Sequence, residues 1–346
     1  MVIGGSYHLV RASGFGPLPK VFEHRAGEFA LWRAFEQEGL PVEVIGAPQT
    51  PIPLRSMIGL FERCAHVLGD RTFGLDVGFE MAKAWGFGLW GRYGVGAPTF
   101  GEAIARYNQT FWAHSRGGRL ELVKSGDRWL WRCLARSNNG AGTQHADHMI
   151  GPMLIIAREF LGPKWSPDWI EVSYLRDSRS DLLEDRLQIP VHFGCRGTGM
   201  VFTSENLSAR RSRNASESGG IITLREVAAD IVLADTPEPA RSLSAIVALR
   251  LLEGRTDIEG TARMAGISVR SLQRRLMQKG QTYREIVSGT RKARALSLLR
   301  ETDLPIVEVA MLLGYEDHAS FTRAFHRWMG CAPLAFRLRR SPCALA

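Results

Sequence analysis

Several kinds of chemistry leave no trace in this 346-residue chain. Its five cysteines, Cys64, Cys133, Cys195, Cys331 and Cys343, are scattered, odd in number and never form CxxC. That excludes a disulfide framework and a cysteine zinc site, and it points to a reducing compartment. Long apolar runs are also missing. The apolar part of GPMLIIAREF is interrupted by Arg158 and Glu159 and is too short to span a bilayer. No charged start leads into an apolar stretch, so no signal peptide is evident, and the expected location is cytoplasmic with no membrane partner. There is no GxSxG and no cysteine in a credible relation to a histidine. The glycines of GFGLWGRYGVG follow no clear strand and meet no GKS or GKT, so they read as tight turns rather than a phosphate loop. The chain is therefore expected not to be an enzyme and to need no cofactor.

What is present begins with enough apolar residues, 45%, to build real cores. The net charge of +9 is unevenly placed. From Arg241 onward there are 18 Lys+Arg against 9 Asp+Glu, whereas the preceding residues hold 26 of each. A neutral part joined to a basic one is the asymmetry of a sensor coupled to a nucleic-acid binder. A basic face that is merely solvated gives the same count.

The neutral part mixes patterns. Residues 1–27 carry Gly and Pro with few periodic apolar positions and read as a loose or edge segment. Helices are expected at Glu28–Glu38, at Pro53–Leu68 with Leu54, Ile58, Phe61 and Ala65 on one face, and after Pro98 and Thr99. RLELVKSGDRWLWRCLA alternates on both sides of Ser-Gly-Asp, a hairpin pattern. A helix follows over Ala146–Leu161. DWIEVSYL reads as a strand, SDLLEDRLQ as a helix, and VHFGC and GMVFT as strands. The predicted class is α+β over residues 1–220. SARRSRNASESGG is polar and rich in Gly and Ser, a linker composition. LREVAADIVLAD fits a short coupling helix before TPEPA, and 221–240 is taken as the linker.

Residues 241–340 have helical periodicity throughout. Ile258–Gly280 holds a helix, a breaking Gly266, a capping Ser268, and a second helix burying Val269, Leu272 and Leu276. LPIVEVAMLLGYEDHASFTRAFHRWMG repeats that logic, with Pro305 at a helix start, Val309 and Leu312 inward, and Gly314 as breaker. A helix pair joined by a short Gly-containing turn is the helix-turn-helix signature. The second helix of such a pair fits the major groove, where Arg, Gln, Ser and Thr supply groups that read base edges.

VRSLQRRLMQKG and RKARALSLLRETDLPIVEVAMLLGYEDHASFTRAFHRWMGCAP together resemble the DNA-binding domain of the AraC/XylS family of bacterial transcription regulators. The resemblance covers about a hundred residues. It implies an all-α domain of two helix-turn-helix subdomains joined by one long helix, here about Tyr283 to Arg300. A helix of that length spans roughly 27 Å, enough to set two recognition helices about one DNA turn apart. Carried over by position, the DNA-facing residues are Arg270, Ser271, Gln273 and Arg274 in the first unit, and His318, Ser320, Thr322 and Arg323 in the second. Phosphate contacts are also implied at the free N–H groups of the helix starting near Pro305.

VLGDRTFGLDVG, GLWGRYGVGAPTFGEAIARYNQTFWAH and LELVKSGDRWLWRCLA resemble the N-terminal domain of regulators related to the ornithine-utilisation and virulence activators, a domain labelled arabinose-binding. The residues show no sugar-specific feature and no small β-barrel pattern. Eight of the nine tryptophans precede residue 241. Aromatics line small-molecule pockets, and Trp85, Trp90, Trp129 and Trp131 are the candidate walls of an effector site, with core packing the alternative. In QHADH, His145 and His148 share a helix face around Asp147, but no third ligand supports a metal site, and none is expected. The resemblance implies a regulator, an activator responding to a small-molecule effector, that binds promoter DNA as a homodimer and contacts RNA polymerase. One alternative is a DNA binder whose N-terminal domain only dimerises. Another, a fusion to a DNA-repair alkyltransferase, needs a zinc-held cysteine cluster that the sequence lacks.

Overall fold

A computed structural model describes residues 8–48, 50–83, 88–115, 118–135, 142–211, 222 and 240–338. The chain divides into two compact units. One is built from His8–Glu38 and Leu54–Ala234, the other from Gly39–Pro53 and Asp235–Ala346. The proposed linker 221–240 and its coupling helix lie almost wholly outside the described residues, as does most of the Gly/Ser-rich run before them.

The larger unit opens with strand β1 (Leu9–Arg11) and helices α1 (Leu18–Ala26) and α2 (Glu28–Gln37). Of the loose or edge segment expected over 1–27, residues 8–27 are not loose: they hold a short edge strand and then helix. Pro17 precedes α1, whose Leu18 and Phe22, one turn apart, are fully buried. The Gly39–Pro53 segment ends in β2 (Pro51–Pro53) and belongs to the other unit. The larger unit resumes with α3 (Leu54–Leu68), α4 (Phe73–Lys83), α5 (Gly88–Val95) and α6 (Phe100–His114). Thr99 caps α6 by accepting a hydrogen bond from the Glu102 amide. The hairpin of β3 (Gly118–Ser125) and β4 (Arg128–Ala135) turns at Gly126 and Asp127. Then come α7 (Thr143–Leu161), β5 (Trp169–Glu171), α8 (Asp181–Leu187), β6 (Val191–His192) and β7 (Thr198–Thr203).

The five strands form one sheet in the order β3-β4-β7-β5-β6, antiparallel except for the parallel β5–β6 pair. DWIEVSYL and VHFGC are strand over only three and two residues. Trp131 pairs with Met200 across β4 and β7. Both are fully buried beside Phe100 and Tyr107 of α6 and Leu154 and Ala157 of α7, which gives the unit its main core.

Glycines set the helix contacts here. The stretch expected as tight turns is in part α5. Its Gly94 meets the ring of Tyr107, where a Cβ would lie 2.0 Å from the ring carbon bearing the hydroxyl. Helices α4 and α7 cross in the same way. A Cβ at Gly78 would lie 2.2 Å from the His148 carbonyl oxygen, and one at Gly151 2.5 Å from the Gly78 carbonyl carbon. Pro152 stands inside α7 and has no N–H to offer that His148 carbonyl.

In the smaller unit the described elements after Pro53 are all helices: α9 (Ala240–Arg250), α10 (Ile258–Ala265), α11 (Val269–Met277), α12 (Tyr283–Glu301), α13 (Ile306–Leu312), α14 (His318–Met329) and α15 (Pro333–Leu338). They build two cores. Leu243, Val247, Ala262, Leu272 and Leu276 form the first with Ile286 of α12. Val309, Leu313, Phe321 and Phe325 form the second with Ala295 and Leu299 of the same helix. One long helix thus serves both cores. Leu312, expected to face inward, is exposed, and its neighbour Leu313 takes the buried place.

Candidate nucleic-acid interface and effector cavity

Each small core presents its second helix. In the first, Asp257 caps α10 through the Gly260 amide, and Ser268 caps α11 through the Ser271 amide. Between them Gly266 is left-handed. With Leu272 and Leu276 buried, α11 leaves Arg270, Gln273 and Arg274 exposed on its other side, and Ser271 half-buried. In the second, Asp317 caps α14 through the Ser320 amide at 2.6 Å. Phe321 and Phe325 are fully buried, and Trp328 is half-buried, donating to the Ser288 hydroxyl at 3.0 Å. His318 and Arg323 are exposed, and Ser320 and Thr322 are half-buried.

The polar residues of α14 already have partners. The Ser320 hydroxyl donates to Asp317 at 2.8 Å and accepts from Arg323 Nη2 at 3.0 Å. Thr322 donates to the His318 carbonyl at 2.8 Å. These amide and hydroxyl bonds from Ser320 hold the Asp317 carboxyl below its ordinary value. The guanidinium of Arg323 is thereby held over the first turn.

The two subdomains are joined at Gly314, φ +68°. A Cβ there would lie 2.5 Å from the Gly254 carbonyl oxygen of the first subdomain. Arg291 of α12 donates to the Gly314 carbonyl at 2.8 Å and lies 4.4 Å from the Tyr315 ring centroid. Arg250 locks the first subdomain's base by donating to the Asp257 carbonyl at 2.6 Å and to the Asp257 carboxylate.

The larger unit contains a cavity of about 110 Å³. Trp90 and Trp131 line it; Trp129 does not, although it packs on the same core and donates to Ser204 at 3.1 Å. Trp85 lies outside the described residues. The other walls include Met57 of α3, Met81 of α4 and Tyr107 of α6. One stripe of α7 completes them, with His145, Met149, Met153 and Ile156 at helical spacing. The methionines escaped the sequence reading, although 145, 149, 153 and 156 fall on one helix face.

Asp147, within the same helix, does not line the cavity. Asp147 is buried in an ion pair with Arg71 and accepts from the Tyr174 hydroxyl at 2.6 Å. Burial pushes Asp147 up to about 6, against the opposing pull of Arg71 and Tyr174. His145 and His148, both on the cavity wall, also flank Phe61, with ring centroids 5.9 and 4.6 Å away. Burial lowers His145 to about 4. The first turn of α7 is fixed by Glu62, which accepts from the Gln144 amide at 2.7 Å, and by the Gln144 side chain, which bridges the Arg71 carbonyl and the Gly74 amide. Among the described residues no three His, Cys, Asp or Glu side chains converge as metal ligands. Burial pushes the Cys64 and Cys133 thiols up to about 12, the opposite of what an alkyl acceptor needs. No described helix is long and apolar enough to cross a membrane.

Comparison with known proteins decides the family. Residues 30–210 match the model described as the arabinose-binding domain of AraC transcription regulator, N-terminal, and residues 261–339 match a helix-turn-helix domain model. The chain belongs to the AraC family of transcription regulators. It is 43% identical over 81 residues to the ornithine utilization regulator of Pseudomonas aeruginosa, covering 23% of this chain and 24% of that protein. It is 42% identical over 77 residues to the regulator VqsM of the same organism, covering 22% and 24%. These matches thus span about a quarter of each relative's length. The crystal structure of the regulator CdpR from Pseudomonas aeruginosa aligns over 89% of this chain and 98% of that one, at 22% identity and a TM-score of 0.40. The chain thus carries an N-terminal domain of the AraC type and a helix-turn-helix domain.

Proposed function

We propose that this AraC-family chain is an effector-responsive activator whose small-molecule site is the cavity behind the α7 stripe. The observation that carries the reading is that the unit matching the family's arabinose-binding domain holds a partly open, mostly apolar cavity, while the other unit displays two capped helices with basic outer faces. On this reading Arg270, Ser271, Gln273 and Arg274 of α11 face one stretch of major groove. His318, Ser320, Thr322 and Arg323 of α14 face the next. Arg274 and Arg323 contact guanine or phosphate. The α+β part spans 1–220, the linker 221–240 and the DNA-binding part 241–340. The regulator acts as a homodimer on promoter DNA and contacts RNA polymerase.

By linkage, an effector that strengthens DNA binding must itself bind the DNA-competent state more tightly. A thermal-shift screen of the full chain against amines, amino acids, fatty acids and aromatic acids finds the ligand class, and DNA titration with and without each hit measures the coupling. Equal DNA affinity with every binding ligand would reduce the N-terminal part to a dimerisation module.

A further inference from the structure

Resting on the reading that the cavity holds the effector, we infer that its ligand is a small uncharged aromatic molecule with a single hydroxyl, of the phenol class, rather than a sugar or an amino acid. A sugar brings hydroxyls around its whole ring, and each one buried without a partner carries its full desolvation cost. The wall offers no matching set. Met57, Met149, Met153 and Ile156 present apolar surface only. The polar ends of the aromatic wall are already engaged: Trp90 donates to Thr110 at 3.0 Å, Trp131 to Asn108 at 3.0 Å, and Tyr107 to the Gly91 carbonyl at 2.7 Å. An amino acid or polyamine needs counter-charges, and among the described residues no Lys, Arg, Asp or Glu lines the cavity.

Ser115 and His148 also line the cavity and have partners of their own; among the described residues His145 supplies the specific polar feature. It lines the cavity, and its Nδ1 is buried without a hydrogen-bond partner. An unmet nitrogen of this kind costs stability unless something bonds to it, so it marks where a ligand's polar group belongs. Burial keeps this imidazole neutral at pH 7. It therefore offers no positive charge for a carboxylate, but it accepts a hydroxyl hydrogen. The volume of about 110 Å³ leaves room for no more than about one ring, an apolar cavity of about 150 Å³ being known to hold benzene. Methionine thioethers adapt to such a ring and contact it favourably.

The test uses the full chain, calorimetry and thermal shift, with phenol, toluene, L-arabinose and L-ornithine as probes. Phenol should bind once per chain and raise the melting temperature, and L-arabinose and L-ornithine should do neither. Met153→Trp, which fills the cavity, should abolish phenol binding; Ile156→Phe serves if that variant does not fold. His145→Phe should weaken phenol roughly three- to tenfold, the worth of one hydrogen bond, and leave toluene unchanged. Phenol failing to bind, binding no better than toluene, or binding equally to the filled variants overturns the ligand class. If L-arabinose or L-ornithine binds instead and Met153→Trp abolishes it, the cavity remains the effector site and only the class is wrong. If ligands found by the screen bind the filled variants as well as the parent, the effector-cavity reading falls too.

Discussion

Arg323 shows how much one side chain can be asked to do on α14. Its guanidinium is exposed and rests on the Ser320 hydroxyl at 3.0 Å, while Asp317 holds that hydroxyl from the other side. A guanidinium positioned in this way is suited to bidentate contact with a guanine edge. Arg323→Ala should cost about 1–3 kcal/mol of binding and relax preference at one base pair. Titration against a panel of single-base operator variants checks this; equal weakening on every sequence would make Arg323 a phosphate contact. His145 gives a prediction of another kind. Its folded value of about 4 lies below the ordinary 6.5. Between those values the unfolded chain binds a proton that the folded one refuses, so stability is lost as pH falls from about 6.5 toward 4. The loss approaches ~3 kcal/mol at the lower end. Melting of His145→Gln should therefore fall less between pH 7 and pH 5 than melting of the parent chain. The buried faces of α11 and α14 were legible, because Leu272, Leu276, Phe321 and Phe325 recur at helical spacing. The role of His145 was not. Its three-residue distance from His148 says that the two share a face, not what that face meets, and Asp147 between them is held by Arg71, far away in the chain.

Among the elements, the crossing of α4 with α7 fixes the cavity wall. Gly78 and Gly151 let the two backbones approach, and a methyl group at Gly78 would meet backbone, which cannot swing aside. Gly78→Ala should destabilise the chain by about 1–3 kcal/mol, the usual cost of overpacking. Gly289 is the opposite case. It lies inside α12, exposed, with open space where a Cβ would stand. Gly289→Ala should stabilise by about 1 kcal/mol through helix propensity. Denaturant titrations of both variants test the pair of signs. The hairpin of β3 and β4 and the long helix α12 were readable from alternation and periodicity. Helix α5 was not, because glycine is a poor helix former and the compensating contact, Tyr107 seated on Gly94, is tertiary. The shortness of β5 and β6 was equally hidden, since strand length depends on which neighbours a strand finds.

For the molecule as a whole, charge divides where function does. The residues from Arg241 onward carry the whole positive excess, 18 Lys+Arg against 9 Asp+Glu. Neutralising phosphates releases counterions, so DNA affinity should fall steeply and linearly on a log–log plot as salt rises. A flat plot would mean that the basic face is only solvated. The central claim is that one chain reads two segments of duplex, one with α11 and one with α14, held together by α12 and the Gly314–Gly254 contact. Selection of bound duplexes from a random pool by the full chain tests it most directly, repeated with Arg274→Ala and with Arg323→Ala. Two sequence blocks about one helical turn apart are predicted, with each substitution erasing preference within a different block. A single block per chain, or both substitutions relaxing the same positions, would contradict it.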